Sequence, residues 1–288
     1  MLQYKCKSCG GQVDIGDSGS MVCPFCGSKS FMSDADYKGN EYFRQKLLKY
    51  VLAKIDEKEF DYSKDVLWEA RHKESFEMAN SKPLNIEYMV KYAYQDLDVY
   101  VAKESVVYIF SDEAEAAKFK RGLQQISFPE ADSKLPRCFP ALKMELNLKG
   151  GRKVLVFLRR PGFYPAELFS PWPSEHLAWV ISRMENLCCA FEYSDIQHTG
   201  ISPESIFVNP ITHEGAIFGD WRQVSDKAGS KDLEDLRKTA KLLASNTRKP
   251  VQMYDFLNSK PTSNAFEDFK KWDTVIEEGF GGHNFIKM

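Results

Sequence analysis

The sequence has 288 residues, which suggests about two domains and is long enough to bury a large core. Its 39 Lys and Arg against 41 Asp and Glu give a formal charge of −2, which excludes a protein held on nucleic acid or membrane by bulk charge. No run of about 18 uncharged apolar residues predicts a membrane span, and the N-terminus lacks the apolar segment of a signal peptide. We therefore expect a cytoplasmic protein without a membrane partner.

The seven cysteines are unevenly distributed, and four of them lie within the first 26 residues. Cys6 and Cys9 form one C-x-x-C pair, Cys23 and Cys26 form a second, and glycine follows each pair. Two such turns can direct four thiolates to one tetrahedral Zn²⁺ site. Two disulfides or a redox-active pair are alternatives, but the absence of a signal peptide argues against disulfides. The pattern resembles a zinc ribbon, expected over residues 1–33, with a structural zinc because four protein ligands leave no open position.

Short strands are expected at residues 12–15 and 20–22, joined by a Gly-, Asp- and Ser-containing turn at residues 16–19. Residues 1–33 have no basic face and few aromatic side chains for base stacking. Nucleic-acid binding through the ribbon is therefore possible but not expected. Docking on the rest of the chain or on a protein partner is the favoured interpretation.

Residues 34–93 are expected to form a helical connector. Apolar residues recur at spacings of three and four between Tyr42 and Ile55, and a second helix is expected from Ser63, which would be its N-cap. Pro83 interrupts the chain, and the spacing of Ile86, Met89, Val90 and Ala93 predicts a third helix.

Strands and helices are both expected after residue 94. The predicted elements are strands Asp98–Ala102 and Val106–Phe110, a helix Asp112–Gln125 capped by Ser111, and a hairpin of Ala141–Leu148 with Lys153–Leu158 closed by Gly150-Gly151. A long apolar helix capped by Ser174 follows. A loop then leads to two short strands, Ile206–Val208 and Ala216–Phe218, and to Gly219-Asp220-Trp221.

This order of elements resembles the protein-kinase fold. The resemblance implies an α+β chain with a kinase-like N-lobe at residues 94–160 and a C-lobe at residues 161–288. The helix Lys231–Ala244 is similar to the buried C-lobe helix of kinases, so Asp232 or Asp235 is expected to brace the catalytic loop. The segment that follows is similar to the ending of atypical kinase-like proteins of bacteria and phages.

The resemblance also locates the kinase catalytic positions. His198 matches the histidine of the catalytic loop, but Gly200 stands at the catalytic Asp and Ser205 at the metal-binding Asn. Asp220 matches the second metal-binding Asp, and Arg222 follows where the motif has glycine. Tyr108 lies where the phosphate-binding Lys is expected.

The stretch Ala93–Tyr100, at the place of the Gly-rich loop, has no glycine. The leading hypothesis is therefore a catalytically inactive pseudokinase that binds a protein partner or regulates one. ATP binding is not expected, and His198 is expected to be structural and Arg159 solvated. Two alternatives stay open. One is an active atypical nucleotide-dependent transferase using Glu204, Asp220, His198 and Lys103, and the other is a zinc-ribbon adaptor associated with nucleic acid.

Overall fold

The structure is a computed structural model. It describes residues 3–5, 12–14, 20–22, 29–31, 43, 45, 65, 67–130, 134–244 and 249–282. The chain divides into two compact units, Met1–Glu59 and Phe60–Met288. Each unit is described by itself.

The first unit contains two antiparallel hairpins. They pair β1 (Gln3–Lys5) with β2 (Gln12–Asp14), and β3 (Ser20–Val22) with β4 (Lys29–Phe31). The expected strands at 12–15 and 20–22 are present, but each pairs with a strand that the sequence did not predict. Each C-x-x-C motif falls in the connection of one hairpin. The four cysteines themselves lie outside the described residues.

An antiparallel sheet of six strands opens the second unit. Its strands are β5 (His72–Phe76), β6 (Leu84–Tyr94), β7 (Leu97–Ala102), β8 (Ser105–Phe110), β9 (Leu142–Asn147) and β10 (Lys153–Leu158), in the order β5-β6-β7-β8-β10-β9. Helix α1 (Glu113–Gln124) connects β8 to β9. The two strands, the helix and the hairpin predicted between residues 98 and 158 are confirmed.

The expected third helix is wrong, because residues 84–94 form strand β6. Its apolar residues Ile86 and Tyr88 alternate with exposed Asn85 and Glu87, which is the period of a strand. β-branched and aromatic side chains favour strands, and pairing on both edges, with β5 and β7, decides the conformation. The sheet therefore begins well before residue 94.

The second expected helix is not present in its described part. Asp65 and residues 67–70 are non-helical, and the Arg71 N–H donates to the Tyr88 carbonyl at 3.0 Å, which aligns the chain for strand β5. Phe43 and Gln45, the described residues of the first expected helix, are helical. The remainder of that helix lies outside the described residues.

Two helix caps differ from expectation. The Asp112 side chain, not Ser111, accepts the first-turn N–H of α1 at Glu115, because a carboxylate is a stronger acceptor beside the helix dipole. The long helix starts at Ser174 itself, so Ser174 is its first residue and Pro173 stands at the N-cap position. Pro173 has the extended ψ of 152° that is typical of an N-cap residue.

Arg159 is buried rather than solvated. Its guanidinium donates to the carbonyls of Ala102 and Phe163, each at 2.8 Å, and to the Asp65 carboxylate at 2.6 Å. Tyr164 also donates to Asp65. This buried ion pair ties the segment that precedes β5 to the end of β10, and its hydrogen bonds offset the desolvation of both charges.

The rest of the second unit is mainly helical. Its helices are α2 (Ser174–Tyr193), α3 (Lys231–Leu243), α4 (Val251–Asn258) and α5 (Ala265–Phe280). Short strands β11 (Tyr164–Pro165), β13 (Ile206–Asn209) and β14 (Glu214–Ile217) form one sheet, and β12 (Ile196–His198) pairs with β15 (Val224–Asp226). Helix α2 is buried along most of its length and organises this core. Within the described residues, no helix is both long and apolar enough to cross a bilayer.

Candidate functional site

The candidate site lies where the six-stranded sheet and α1 meet the loops of the helical part. Three segments supply its residues: strand β8, the loop from His198 to Ser205, and the turn from Gly219 to Arg222. The Tyr108 hydroxyl donates to the Phe218 carbonyl, so strand β8 touches the turn directly. The fold thus brings together the kinase-related positions His198, Gly200, Ser205, Asp220 and Tyr108.

His198 is fully buried between aromatic rings, packing against Phe191 and edge-on to Trp221. Its Nδ1 accepts the N–H of Gly200 at 2.9 Å. Burial lowers the pKa of His198 to about 4, although the negative charge of Asp220 opposes the shift. The ring is therefore neutral at pH 7, and its hydrogen bond with the Gly200 N–H lies within the loop.

Gly200 leaves no room for the carboxylate that a kinase places there. A Cβ atom at Gly200 would lie 2.6 Å from Cε1 of His198, well inside van der Waals contact. The Ser205 hydroxyl is used within its own turn, donating to the Ser202 carbonyl at 3.1 Å and accepting its N–H at 2.8 Å. Neither position presents a group to a substrate or a metal ion.

Tyr108 occupies the interior of the site with an uncharged side chain. It is fully buried and packs against Phe119 of α1 and Phe157 of β10. Burial raises the pKa of its hydroxyl well above the ordinary value, so the phenol stays protonated. It supplies no positive charge for a phosphate group at the place of the kinase lysine.

Arg222 is the central charged group of the site. Its Nε lies 2.9 and 3.1 Å from the two carboxylate oxygens of Asp220, and its Nη2 lies 2.8 Å from Oδ2. The same guanidinium donates to Glu115 of α1 and, at 2.8 Å, to the carbonyl of Gln95 in the β6–β7 turn. One side chain thus joins α1, the β6–β7 turn and the Asp220 carboxylate.

This arrangement determines the chemistry available to Asp220. Both of its oxygens already accept hydrogen bonds from a fixed cation, and Oδ1 also accepts the Arg222 N–H at 3.0 Å. Burial would lower the pKa of Arg222, but Asp220 and Glu115 raise it, so the guanidinium is permanently charged. A metal ion at Asp220 would have to displace this cation.

Gly122 allows α1 to approach the turn closely. A Cβ atom at this helical position would lie 1.9 Å from the Trp221 carbonyl oxygen, a backbone atom that cannot rotate away. Glycine here costs helix stability but permits the contact that brings Glu115 to Arg222.

A further hydrogen bond joins strand β6 to the helical part of the unit, across the cleft between the sheet and the helices. The Tyr92 hydroxyl donates to the Glu167 carboxylate at 2.6 Å, and Glu167 lies in a 3₁₀ turn at Ala166–Phe169. With the Tyr108 and Arg222 contacts, three hydrogen-bonded bridges join the sheet side to the helical side of the unit.

The expected brace from α3 differs in detail. Asp232 is buried but pairs with Lys227, at 3.2 Å, rather than with loop N–H groups. The loop is instead anchored by the Thr239 hydroxyl, which donates to the Ile201 carbonyl at 3.0 Å. A nearby lysine provides a buried carboxylate with a better partner than a neutral amide. Lys103 is exposed in the β7–β8 turn and pairs with no described carboxylate.

Sequence reasoning did not find the role of Arg222 or the partner of Glu115. The signal was present, because an arginine replaces the glycine that follows the Asp-Phe pair in kinases. The bridge from Tyr92 to Glu167 connects residues 75 positions apart and has no local signal. Among the described residues, no group of three or more His, Cys, Asp or Glu is arranged to hold a metal ion.

The comparisons with known proteins concern the N-terminal ribbon and the overall fold. Residues 1–29 match the family model of the A2L zinc ribbon domain. No sequence among the curated proteins matches the chain. Among solved structures, the BubR1 kinase domain is similar with a TM-score of 0.50 at 9% identity, covering 83% of this chain and 93% of that one.

Two further structures are similar at lower scores. The ROP18 kinase domain in complex with AMP-PNP and sucrose has a TM-score of 0.47 at 13% identity, covering 85% of this chain and 95% of that one. WbdD, crystallised with the kinase inhibitor LY294002, has a TM-score of 0.46 at 13% identity and covers 67% of this chain. The match spans 46% of that WbdD chain, so this sequence accounts for about half of it. The chain thus combines an N-terminal zinc ribbon with a protein-kinase-like α+β fold.

Proposed function

We propose that this chain is a catalytically inactive, kinase-like protein-binding module that carries a structural zinc ribbon. The observation that carries the proposal is the position of Arg222, whose guanidinium binds both oxygens of Asp220 and reaches Glu115 and the Gln95 carbonyl. A fixed protein cation thus stands where a kinase would hold Mg²⁺ and phosphate.

The loop residues support the same conclusion. Phosphoryl transfer requires a group that accepts the proton of the attacking hydroxyl, and Gly200 has no space for one. His198 is neutral but fully buried, and it is held by the Gly200 N–H and two aromatic rings. It therefore cannot take over the role of a base for a bound substrate, and the proposed active transferase finds no support in these residues.

A retained scaffold without catalytic groups fits a role in protein binding. The three bridges across the cleft hold the two sides of the unit in one arrangement without a nucleotide. The surface of a unit held in this way is pre-organised for a protein partner without any bound ligand.

The cysteines outside the ribbon support a reducing, cytoplasmic setting. Cys138, Cys188 and Cys189 are not in disulfide bonds. Burial raises the pKa of Cys189 to about 12, so its thiol is protonated and unreactive. We place the zinc ligands at Cys6, Cys9, Cys23 and Cys26, in the two hairpin connections of the zinc ribbon.

The decisive experiment is a nucleotide titration of the full chain followed by thermal unfolding. ATP with Mg²⁺ or Mn²⁺ should leave the melting temperature unchanged, and labelled ATP should transfer neither phosphate nor AMP to the chain or to a generic protein substrate. An active kinase measured in parallel is the positive control. A metal-dependent rise in melting temperature, or any transfer of label, would overturn the proposal.

A binding experiment on nucleic acid tests the remaining alternative. We expect no retention on DNA or RNA at physiological ionic strength, because residues 1–33 contain only three lysines, no arginine and two aspartates. Retention that weakens steeply with added salt would instead favour the adaptor role.

A further inference from the structure

Three charged side chains lie together in the core of the helical part of the second unit. Glu185 is on α2, Arg237 on α3 and Asp268 on α5, and their side chains are 0%, 5% and 0% exposed. Nη2 of Arg237 lies 2.7 Å from Oδ2 of Asp268, and Nη1 lies 3.7 Å from Oε1 of Glu185. One cation thus faces two carboxyl groups, so the cluster would carry an excess negative charge if both were ionised.

The two carboxyl groups differ in their hydrogen bonds. Oδ1 of Asp268 accepts the Thr262 N–H at 2.9 Å, and Oδ2 accepts from Arg237. In the part of the chain that the structure describes, neither oxygen of Glu185 has a hydrogen-bond partner. A buried carboxylate without hydrogen bonds is costly, because burial removes the water that stabilises its charge. Of the two groups, Glu185 is therefore the one that favours the uncharged form.

Asp268 supplies the acceptor for a proton on Glu185. The two carboxyl groups lie within hydrogen-bonding reach of each other. Two carboxylates at this distance repel, whereas a carboxylic acid donates a strong hydrogen bond to a carboxylate. One proton on Glu185 would remove the excess charge and provide the missing hydrogen bond. In agreement, burial and the charge of Asp268 raise the pKa of Glu185 well above its ordinary value, although Arg237 opposes the shift.

The surroundings of Glu185 add negative rather than positive charge. The other titratable groups near it on α2, on α3 and in the segment before α3 are Cys188, Cys189, Glu192, Asp232 and Lys227. Burial raises the pKa of both thiols, so they are uncharged at pH 7. Lys227 lies 3.0 Å from Glu192 and 3.2 Å from Asp232, so its charge is shared between those two carboxylates. Helix α4 contributes the ring of Phe256, whose centroid lies 3.8 Å from Cζ of Arg237.

The shared proton would join α2 to α5. One helical turn away from the carboxyl groups, Nε1 of Trp272 on α5 donates to Oγ of Ser182 on α2 at 2.8 Å. We propose that the folded chain holds one proton between Glu185 and Asp268, and that this proton makes a pH-sensitive contact between α2 and α5. When the proton leaves at higher pH, the two carboxylates repel and the contact weakens. This inference does not depend on the proposed function.

Infrared spectroscopy of the full chain at pH 7 tests whether the proton is present. The difference between wild type and Glu185→Gln should contain the carbonyl band of a protonated carboxylic acid, since ordinary glutamates are ionised at this pH. Glu175→Gln, the same change at an exposed position of α2, is the matched control and should show only carboxylate bands. A carboxylate band without an acid band in the Glu185→Gln difference would overturn the proposal.

A second measurement needs no variant. If Glu185→Gln fails to fold, carbon NMR of wild type with labelled glutamate side chains replaces the infrared comparison. One carboxyl signal should keep the chemical shift of an acid at pH 7. A spectrum in which every glutamate is ionised at that pH would refute the proposal.

Urea denaturation at several pH values measures what the proton contributes to stability. The unfolded chain releases it near the ordinary pKa of 4.5, and the folded chain keeps it to higher pH. The contribution is therefore complete below pH 4.5 and is lost as the pH rises through the folded pKa. The folding constant of wild type relative to Glu185→Gln should fall about tenfold per pH unit until that pKa is reached. The ratio to Glu175→Gln should stay constant above about pH 5, and a constant ratio to Glu185→Gln would contradict the proposal.

Hydrogen exchange locates the contact. As the pH rises, the protection factors of the α5 amides should fall in wild type and stay nearly constant in Glu185→Gln, because the amide of glutamine donates a hydrogen bond at every pH. An equal fall in both proteins would show that the proton does not hold α5 on α2.

Discussion

At the scale of single residues, Arg222 joins Asp220, Glu115 and the Gln95 carbonyl through one guanidinium. Its guanidinium is planar and has five donors, so it can bind a carboxylate with two bonds and still reach a second carboxylate and a carbonyl. A metal ion at this place could be displaced, and a lysine ammonium would lack the planar fork that binds both carboxylate oxygens. Arginine makes the connection between α1 and Asp220 a permanent part of the fold.

The Arg222→Ala variant should unfold more easily than the wild type. The substitution would leave the carboxylate of Asp220 without its cation, although the Asp220 side chain is only 9% exposed. Breaking a buried ion pair in this way costs about 3 kcal/mol of stability. Urea denaturation measures the loss. Arg121→Ala, an exposed arginine on α1, should stay within about 0.5 kcal/mol of wild type. Equal stability of the two variants would show that Arg222 does not act as a structural clamp.

His198 should make stability depend on pH. Its pKa is about 4 in the folded chain, because burial disfavours the charged ring, and about 6.5 in the unfolded chain. The unfolded state therefore binds a proton first, so the stabilisation is complete above pH 6.5 and is lost as the pH falls towards 4. At pH 5 the loss should be about 2 kcal/mol.

The measurement compares wild type with His198→Asn at pH 7.5 and pH 5. The acid-induced loss in free energy of unfolding should be smaller in the variant. The titrating imidazole is gone, whereas the carboxylates, which also titrate in acid, are the same in both proteins. An NMR titration of the wild type should give a His198 pKa well below 6. An identical acid-induced loss in both proteins would contradict the interpretation.

At the scale of elements, α1 is held by a close backbone contact as well as by charge. Alanine normally stabilises a helix relative to glycine by about 0.5–1 kcal/mol. At Gly122 the added methyl would meet the Trp221 carbonyl, so Gly122→Ala should instead destabilise the fold by about 1–3 kcal/mol. Lys118→Ala on the exposed side of α1 should be nearly neutral by the same denaturation measurement. A stabilised Gly122→Ala protein would show that helix and turn are not in contact.

The elements also show what sequence patterns can and cannot predict. Strands β7, β8 and β10 and helix α1 were predictable because each carries a clear apolar period and ends in turn residues. Strand β6 was not, since its spacing of Ile86, Met89, Val90 and Ala93 also fits a helix, and only its pairing with β5 and β7 resolves the ambiguity. The same holds for the site. The kinase-related positions could be located from the sequence, but the bonds of Arg222 reach α1 and the β6–β7 turn, which are both distant in sequence.

At the scale of the whole molecule, the two units differ in what stabilises them. Residues 60–288 form a large unit with an extensive apolar core that includes fully buried Trp172, Trp179, Trp221 and Trp272. The zinc ribbon has only four strands of three residues each among those described. Two short hairpins by themselves bury too little apolar surface to be stable, so we expect the zinc ribbon to need a crosslink.

The zinc prediction follows from this difference. We expect one zinc ion per chain by elemental analysis, held by the four N-terminal cysteines, and Cys23→Ser/Cys26→Ser should remove it. In that variant, NMR should show loss of the dispersed amide signals of residues 1–33, whereas the main thermal transition, which reports the core of residues 60–288, should persist. Cys138→Ser, at a cysteine outside the zinc ribbon that forms no disulfide, should leave the zinc content unchanged. Mass spectrometry that found two disulfides and no bound zinc would contradict the assignment, because oxidised cysteines cannot ligate the metal.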